Sequence, residues 1–221
     1  MSDGHTYIEQ VAEKGAAAVI VEKDVEAPEG LTVIKVKDTR YALAMTSAAY
    51  FGYPAEKLKV IGITGTKGKT TTTYMVKSIL EEVGIRVGLI GTIEAIIGDK
   101  SIPANNTTPE SYTIQKYFAE MVEAGCECVV MEVSSQGLKL DRTAGIPFEI
   151  GFLRTLAKIT SDRTNTKTLT SISIARACCL NRARSESAMW MINGSKTFSK
   201  MRHAKLRHSD FLIKQISVPQ M

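Results

Sequence analysis

Residues 58–71 read LKVIGITGTKGKTT and are the most informative stretch of this chain. Residues 58–64 are apolar and rich in β-branched side chains, which predicts a buried β-strand. A glycine-rich turn follows at residues 65–69, and residues 70–83 have the pattern of a helix that Gly84 ends. Glycines let backbone N–H groups converge on a phosphate, and the N-terminus of a helix favours an anion. The order of strand, turn and helix therefore predicts a phosphate-binding loop.

Two side chains of this loop have roles that follow from their spacing. Lys69 is placed to reach the β- and γ-phosphates of a nucleotide, and the hydroxyl of Thr70 is placed to bind Mg²⁺. The strict pattern, G-x-x-x-x-G-K-[ST], has a glycine where this chain has Ile63. The alternative is an incidental glycine turn, and the strand and helix on either side of the loop argue against it.

A second candidate site residue, Glu132, ends another predicted strand. Residues 128–133 read CVVMEV, an apolar run typical of a buried strand in a parallel sheet. The end of this strand should lie at the same edge of the sheet as the phosphate-binding loop. Mg²⁺ in proteins takes one or two carboxylates together with phosphate oxygens, so we predict that Glu132 binds Mg²⁺. The alternative is an ordinary solvated strand end.

The rest of residues 1–151 alternates between helix and strand patterns. Helices are predicted at residues 7–14, from the cap residue Asp38 to about residue 50, and from about Glu110 to Gly125; strands are predicted at residues 17–21, which we expect to be buried, 31–36 and 86–90. Such alternation predicts an α/β fold with a parallel sheet. We place a partial α/β domain at residues 1–55, an incomplete second domain at residues 56–151, and a segment of different character at residues 152–221.

The composition argues for a soluble globular protein of the cytoplasm. The 221 residues are 44% hydrophobic and 23% charged, which is ordinary for a folded protein. We find no apolar run of about 18 residues, the length that a membrane-spanning helix needs, and no export signal at the start. The cysteines have neither the density of a disulfide scaffold nor the spacing of a zinc site, so we predict reduced thiols at Cys126, Cys128, Cys178 and Cys179.

Three motifs, in order along the chain, resemble those of the Mur ligases and folylpolyglutamate synthetases. Residues 62–71 resemble the T-G-T-x-G-K-[ST] loop of these enzymes, which explains the missing first glycine. Residues 106–109 (NTTP) and 131–138 (MEVSSQGL) look like the next two family blocks. Residues 3–8 also resemble the uridine-binding N-terminal domain of the Mur ligases that synthesise UDP-N-acetylmuramoyl-tripeptide. The resemblance covers roughly residues 2–151.

The resemblance implies a set of binding residues. The ATP-binding residues would be Gly65, Thr66, Lys67, Gly68, Lys69, Thr70 and Thr71, with Lys69 also catalytic. Thr70 and Glu132 would hold Mg²⁺. The contacts to a UDP-N-acetylmuramoyl dipeptide would be Asn106, Thr107, Thr108, Ser134 and Arg142, whereas Leu140 stands where a polar contact is expected. From spacing alone, a structural role is favoured for both residues, with Thr108 as a helix cap and Ser134 as part of a turn.

The implied reaction is ATP-dependent amide formation in peptidoglycan precursor synthesis. The substrate carboxylate attacks the γ-phosphate of ATP and releases ADP, and the amine of a diamino acid then attacks the acyl phosphate to give an amide and phosphate. Lys69 and Mg²⁺ neutralise charge on the phosphoryl group. The implied fold is a partial uridine-binding domain followed by the first half of a P-loop ATPase domain. The implied partners are the two substrates, without nucleic acid or membrane, and we expect a monomer. We expect this chain not to catalyse the reaction as it stands.

Residues 152–221 differ from the rest in charge. They carry 13 Lys+Arg and 3 Asp+Glu (net +10), whereas residues 1–151 carry 15 and 20 (net −5), which together give the +5 of the whole chain. An Asp-His pair and a metal-binding lysine, expected next in the family, are missing. Residues 158–166 can be back-translated into codons that, read from the third letter of the first codon, encode D-H-I-G-P-N-E-H. This offset reading contains the missing Asp-His pair. We therefore interpret residues 152–221 as an aberrant basic tail, non-native or disordered, that follows a one-nucleotide deletion.

Two other functions stay open. The first is another ligase of the Mur and folylpolyglutamate synthetase superfamily, although the segment before Val60 argues against a folylpolyglutamate synthetase. The second is a non-catalytic phosphate-binding module whose basic tail binds nucleic acid in a salt-dependent manner.

The nucleotide sequence across the codons of residues 150–162, read from fresh genomic DNA, tests the interpretation of the tail. We expect one additional base that restores the Asp-His reading. A single intact frame that encodes the present residues would contradict the deletion.

Overall fold

A computed structural model describes residues 3–153 and 190–191 of the chain. The predicted aberrant tail, residues 152–221, lies outside the described residues except at 152–153 and 190–191. Two predictions therefore concern residues outside the described ones. They are that this tail is non-native or disordered, and that Cys178 and Cys179 are reduced thiols.

The described residues form both strands and helices. The strands are β1 (Ala18–Val21), β2 (Thr32–Lys35), β3 (Lys59–Thr64), β4 (Val87–Ile90), β5 (Glu94–Ile97), β6 (Lys100–Pro103), β7 (Cys128–Glu132), β8 (Phe148–Leu153) and β9 (Trp190–Met191). The helices are α1 (Ile8–Glu13), α2 (Thr39–Tyr50), α3 (Lys69–Glu82), α4 (Ser111–Glu123) and α5 (Ser135–Lys139), with 3-10 turns at Gly4–Tyr7 and Pro54–Lys57.

The larger sheet has the strand order β6-β5-β4-β7-β3-β8-β9. Strands β4, β7, β3, β8 and β9 run parallel, and only the pairings of β5 and β6 at one edge are antiparallel. Strands β1 and β2 form a separate parallel pair. The predicted α/β fold with a parallel-dominated sheet is therefore confirmed.

The core lies on both faces of the central strands, which explains their continuous apolar sequences. On one face, Phe118 and Met121 of α4 pack with Phe148 of β8. On the other face, Val76 and Leu80 of α3 pack over β3 and β7. This double cover fixes the positions of the loops that follow β3, β4 and β7.

The helix boundaries follow from their caps. The Asp38 side chain accepts hydrogen bonds from the backbone N–H groups of Arg40 and Tyr41, which confirms it as the cap of α2. Gly84 and Gly125, at φ values of 83° and 74°, adopt the left-handed conformation just after α3 and α4. The three predicted helix ends are thus confirmed within a residue or two.

A strand forms within residues 17–21 as predicted, but the prediction that this strand is buried is wrong. Strand β1 forms there, but Ala18 and Ile20 are exposed and only Val21 is fully buried. Its partner β2 is exposed along its whole length. An apolar strand is buried only if layers cover both of its faces, and the described residues do not supply them.

The described residues also bear on the predictions about two of the cysteines and about membrane-spanning helices. Cys126 and Cys128 are buried and unbridged, as predicted, and burial raises the pKa of the Cys128 thiol to about 11. Among the helices of the described chain, none combines the length and apolarity that crossing a membrane requires.

The close packing of β3 makes Gly62 intolerant of a side chain. A Cβ atom at Gly62 would lie 2.8 Å from ring carbons of the fully buried Phe148, whereas one at Gly4 would meet nothing within 4 Å. We expect Gly62→Ala to lower the free energy of unfolding by about 1–3 kcal/mol, and Gly4→Ala to leave it nearly unchanged. Urea unfolding of both variants measures this difference, and equal stabilities would contradict the packing described.

Candidate functional site

The phosphate-binding loop forms the connection between β3 and α3. Gly65 and Gly68 have φ values of 150° and 77°, a region that residues with a Cβ atom rarely adopt. Gly68 is the N-cap of α3 and has no side chain to occupy the helix N-terminus. The loop therefore needs both glycines for its shape, and its backbone N–H groups can face a ligand.

Lys69 reaches back across this loop. Its Nζ atom donates a hydrogen bond to the carbonyl oxygen of Gly65 at 3.0 Å. Thr66 and Lys69 are half-buried, whereas Lys67 and Thr71 are exposed. The cation of Lys69 thus lies inside the loop, where it can neutralise charge on a phosphate.

The Glu132 carboxylate lies at the end of β7, and none of its surface is exposed. It accepts hydrogen bonds from the Thr70 hydroxyl at 3.1 Å, from the Thr92 backbone N–H at 2.9 Å and from the Thr92 hydroxyl at 3.0 Å. All three donors are neutral. A buried carboxylate with neutral donors is costly unless a cation compensates its charge, so Thr70 and Glu132 fit a divalent metal ion.

The side chain of Thr108 joins the strand end to the loop before α4. Its Oγ1 atom donates to the Glu132 carbonyl oxygen at 3.0 Å and accepts from the Ser134 backbone N–H at 2.9 Å. The reading of Thr108 as a helix cap is wrong, since Glu110 occupies the N-cap position of α4. Ser134 is itself the N-cap of the short helix α5, where its Oγ atom accepts from the Gly137 N–H at 3.0 Å. The turn predicted around Ser134 is therefore helical.

Arg142 is brought to the same region by the segment after α5. Its Nη1 atom donates to the Thr108 carbonyl oxygen at 3.0 Å, and its Nη2 atom forms an ion pair with the Glu110 carboxylate. The Arg142 side chain is only 13% exposed. Arg40, at the start of α2, lies 4.0 Å from the other carboxylate oxygen of Glu110.

The remaining predicted substrate residues lie beside this network. The Thr107 and Thr92 hydroxyl oxygens are 3.1 Å apart, Asn106 is exposed, and Leu140 is half-buried. The structure thus connects Thr70, Glu132, Thr107, Thr108, Ser134 and Arg142 through shared hydrogen-bond partners.

Sequence reasoning missed Thr92, which makes two of the three hydrogen bonds to the Glu132 carboxylate. The signal that points to it is its position directly after the Gly91 that ends the predicted strand of residues 86–90. In a parallel sheet, the carboxyl end of that strand lies at the same edge as the ends of β3 and β7.

A groove of about 570 Å³ lies beside the first turns of α3. Tyr74 is one of its lining residues. The Tyr74 hydroxyl donates to Glu94 at 2.6 Å, and burial together with this carboxylate raises the pKa of Tyr74 to about 12. The groove is lined by Thr70, Thr71, Tyr74, Met75, Ser78, Ile79 and Ile93. Thr70 and Thr71 thus connect the phosphate-binding loop with this groove.

Comparison with known proteins identifies relatives of this chain. A family model described as the Mur ligase middle domain matches residues 63–211. The UDP-N-acetylmuramoyl-L-alanyl-D-glutamate--2,6-diaminopimelate ligase of Clostridium perfringens is 54% identical over 156 residues, which are 71% of this chain and 32% of that protein. The chain spans about a third of the length of the curated relatives it matches.

Solved structures share the fold. A structure of a UDP-N-acetylmuramoyl-L-alanyl-D-glutamate--2,6-diaminopimelate ligase aligns with a TM-score of 0.65 at 22% identity, over 85% of this chain and 37% of the other. The folylpolyglutamate synthase of Mycobacterium tuberculosis, complexed with ADP and AMPPCP, aligns with a TM-score of 0.57 at 18% identity, over 73% and 43%.

The bridging role of Thr108 predicts an effect on stability. Thr108→Val removes the hydroxyl and leaves the Ser134 N–H, in a half-buried residue, and the carbonyl of buried Glu132 without this partner. We expect a loss of about 1–3 kcal/mol in the free energy of unfolding. Thr108→Ser keeps the hydroxyl and is the matched control, so it should retain more of the stability in urea unfolding. A serine variant as unstable as the valine variant would show that the hydroxyl is not what matters.

Proposed function

The chain belongs to the Mur ligase family, and from this we propose that it is part of an ATP-dependent ligase of peptidoglycan precursor synthesis. The proposed reaction joins 2,6-diaminopimelate to UDP-N-acetylmuramoyl-L-alanyl-D-glutamate. The amino acid follows from the name of the Clostridium perfringens relative, which is 54% identical over the matched residues.

One observation carries the proposal for the site. The buried Glu132 carboxylate lies 3.1 Å from the hydroxyl of Thr70, the residue after Lys69 in the phosphate-binding loop. A carboxylate and a hydroxyl that meet beside a phosphate-binding loop are the oxygen ligands that Mg²⁺ takes when it also binds nucleotide phosphates. We therefore propose that residues 65–71 bind ATP and that Thr70 and Glu132 hold Mg²⁺.

The chain's own residues have distinct tasks in this proposal. Gly65 and Gly68 leave room for phosphate beside the backbone, and Lys69 neutralises charge on the phosphoryl group that is transferred. Glu132 and Thr70 orient the metal ion. Bound Mg²⁺ would supply further charge neutralisation on the phosphates.

The substrate side of the site is proposed at the loop before α4. Asn106, Thr107 and Thr108 would contact the UDP-N-acetylmuramoyl dipeptide, together with Ser134 and Arg142. Hydrogen bonds tie Thr107 and Thr108 to the residues that surround Glu132. A substrate carboxylate bound by this loop would therefore lie close to the phosphate that it attacks.

The two alternative functions are less well supported. The relatives that are about 50% identical to this chain are named as diaminopimelate ligases, whereas the folylpolyglutamate synthase structure is only 18% identical to it. Nucleic-acid binding depends on residues 152–221, most of which lie outside the described residues. The family match extends to residue 211 and favours a ligase.

Calorimetric titration of the 221-residue chain with ATP, with and without Mg²⁺, tests the site. We expect Lys69→Met to weaken binding about tenfold or more, because a charged contact to phosphate is lost. We expect Glu132→Gln to remove the dependence on Mg²⁺, since an amide is a poor ligand for this ion but keeps an acceptor for Thr92. Lys116→Met, on the exposed face of α4, is the matched control. Equal affinities of the two lysine variants would contradict the assignment of the loop.

A further inference from the structure

We propose that Thr92 is a positioning residue, which fixes the Glu132 carboxylate for the metal ion and connects it to the Thr107 hydroxyl. The proposal rests on the function proposed above for Glu132. Thr92 lies outside every motif by which the sequence resembles the Mur ligases.

The contacts of Thr92 hold both oxygens of the Glu132 carboxylate. The Thr92 backbone N–H donates to Oε1 at 2.9 Å, and the Thr92 hydroxyl lies 3.0 Å from Oε2. Two bonds from one residue to the two oxygens of a carboxylate fix its plane as well as its position. The third donor, Thr70, is a proposed metal ligand, so Thr92 is the support that stays in place when a metal ion engages Thr70.

The sheet places Thr92 at this position. Ile90 of β4 pairs with Met131 of β7, so the residues after Ile90 pass beside Glu132. The backbone then turns, since the Gly91 N–H donates to the Glu94 carbonyl oxygen at 3.0 Å. This turn directs the Thr92 N–H at the carboxylate.

Gly91 is the residue that allows the carboxylate to approach this turn. A Cβ atom at Gly91 would lie 2.8 Å from Oε1 of Glu132, closer than real Cβ contacts. A side chain at this position would push the carboxylate away from the Thr92 N–H. The Gly91–Thr92 pair is therefore shaped around the carboxylate of Glu132.

The hydrogen bonds of the Thr92 and Thr107 hydroxyls each have a defined donor and acceptor. The Thr92 hydroxyl has a single proton and lies near both Glu132 Oε2 and the Thr107 oxygen, 3.1 Å away. An ionised carboxylate only accepts, so Thr92 donates to Glu132 and Thr107 donates to Thr92. The Thr107 oxygen then keeps both of its lone pairs for donor groups, which makes Thr107 an acceptor toward a substrate N–H or O–H.

The first measurement is the affinity of the 221-residue chain for Mn²⁺ in the presence of ADP, followed by electron paramagnetic resonance. We expect Thr92→Val to weaken Mn²⁺ binding about tenfold or more, because one hydrogen bond to a charged group is lost. Thr92→Ser restores the hydroxyl and should bind within about threefold of the original chain. Thr32→Val, in the exposed strand β2, is the matched control and should bind unchanged.

A second measurement does not depend on metal binding. In the metal-free chain with carboxyl-labelled glutamate, the Glu132 resonance is the one lost in Glu132→Gln. We expect Thr92→Val to shift this resonance and Thr92→Ser to leave it near its original position. A serine variant that behaves like the valine variant, or a valine variant with unchanged resonance and affinity, would overturn the proposal.

The two measurements separate this inference from the proposed function. If the original chain binds no Mn²⁺ with ADP, the metal role of Glu132 is contradicted. The carboxyl resonance then decides by itself whether Thr92 positions Glu132.

Discussion

The burial of one carboxylate, that of Glu132, constrains the whole site. A buried carboxylate needs several hydrogen bonds, and two segments other than β7, on which Glu132 lies, provide them: the start of α3 and the turn after β4. These segments are distant in sequence, with Thr70 and Thr92 lying 62 and 40 residues from Glu132. The position of each therefore depends on the others, and a cation that binds here would compensate the charge of the carboxylate.

The parallel sheet makes this convergence possible. Strands β4, β7 and β3 are neighbours, so their carboxyl ends, and the loops that follow them, lie side by side at one edge. Ile63 pairs with Glu132 in register, which places the phosphate-binding loop directly next to the carboxylate. Gly62 and Gly91 keep the backbone close to its neighbours at the two points where a side chain would collide with Phe148 or Glu132. Strand order and small residues together thus determine the distance between Thr70 and Glu132.

Local signals in the sequence predict the parts of this structure that depend on local physics. Asp38, Gly84 and Gly125 act within one helix turn, and the helices that they bound form as predicted. The hairpin of β5 and β6 was not predicted, although Gly98, at a φ of 57°, marks its turn. The exposure of β1 and the contact of Thr92 with Glu132 depend on neighbours far along the chain. A single threonine after a strand has no local pattern that reveals such a contact.

The contacts that Arg142 already makes constrain the substrate contact proposed for it. Its guanidinium already binds the Thr108 carbonyl oxygen and the Glu110 carboxylate, and little of it is exposed. An anionic substrate must therefore compete with Glu110 or share the guanidinium with it, since an arginine has five N–H donors. Thr108 also donates to the Glu132 carbonyl oxygen, so hydrogen bonds link Arg142 to the strand end that carries the carboxylate. Substrate binding and metal binding would thus act on one connected set of hydrogen bonds, with Thr108 as the residue that both share.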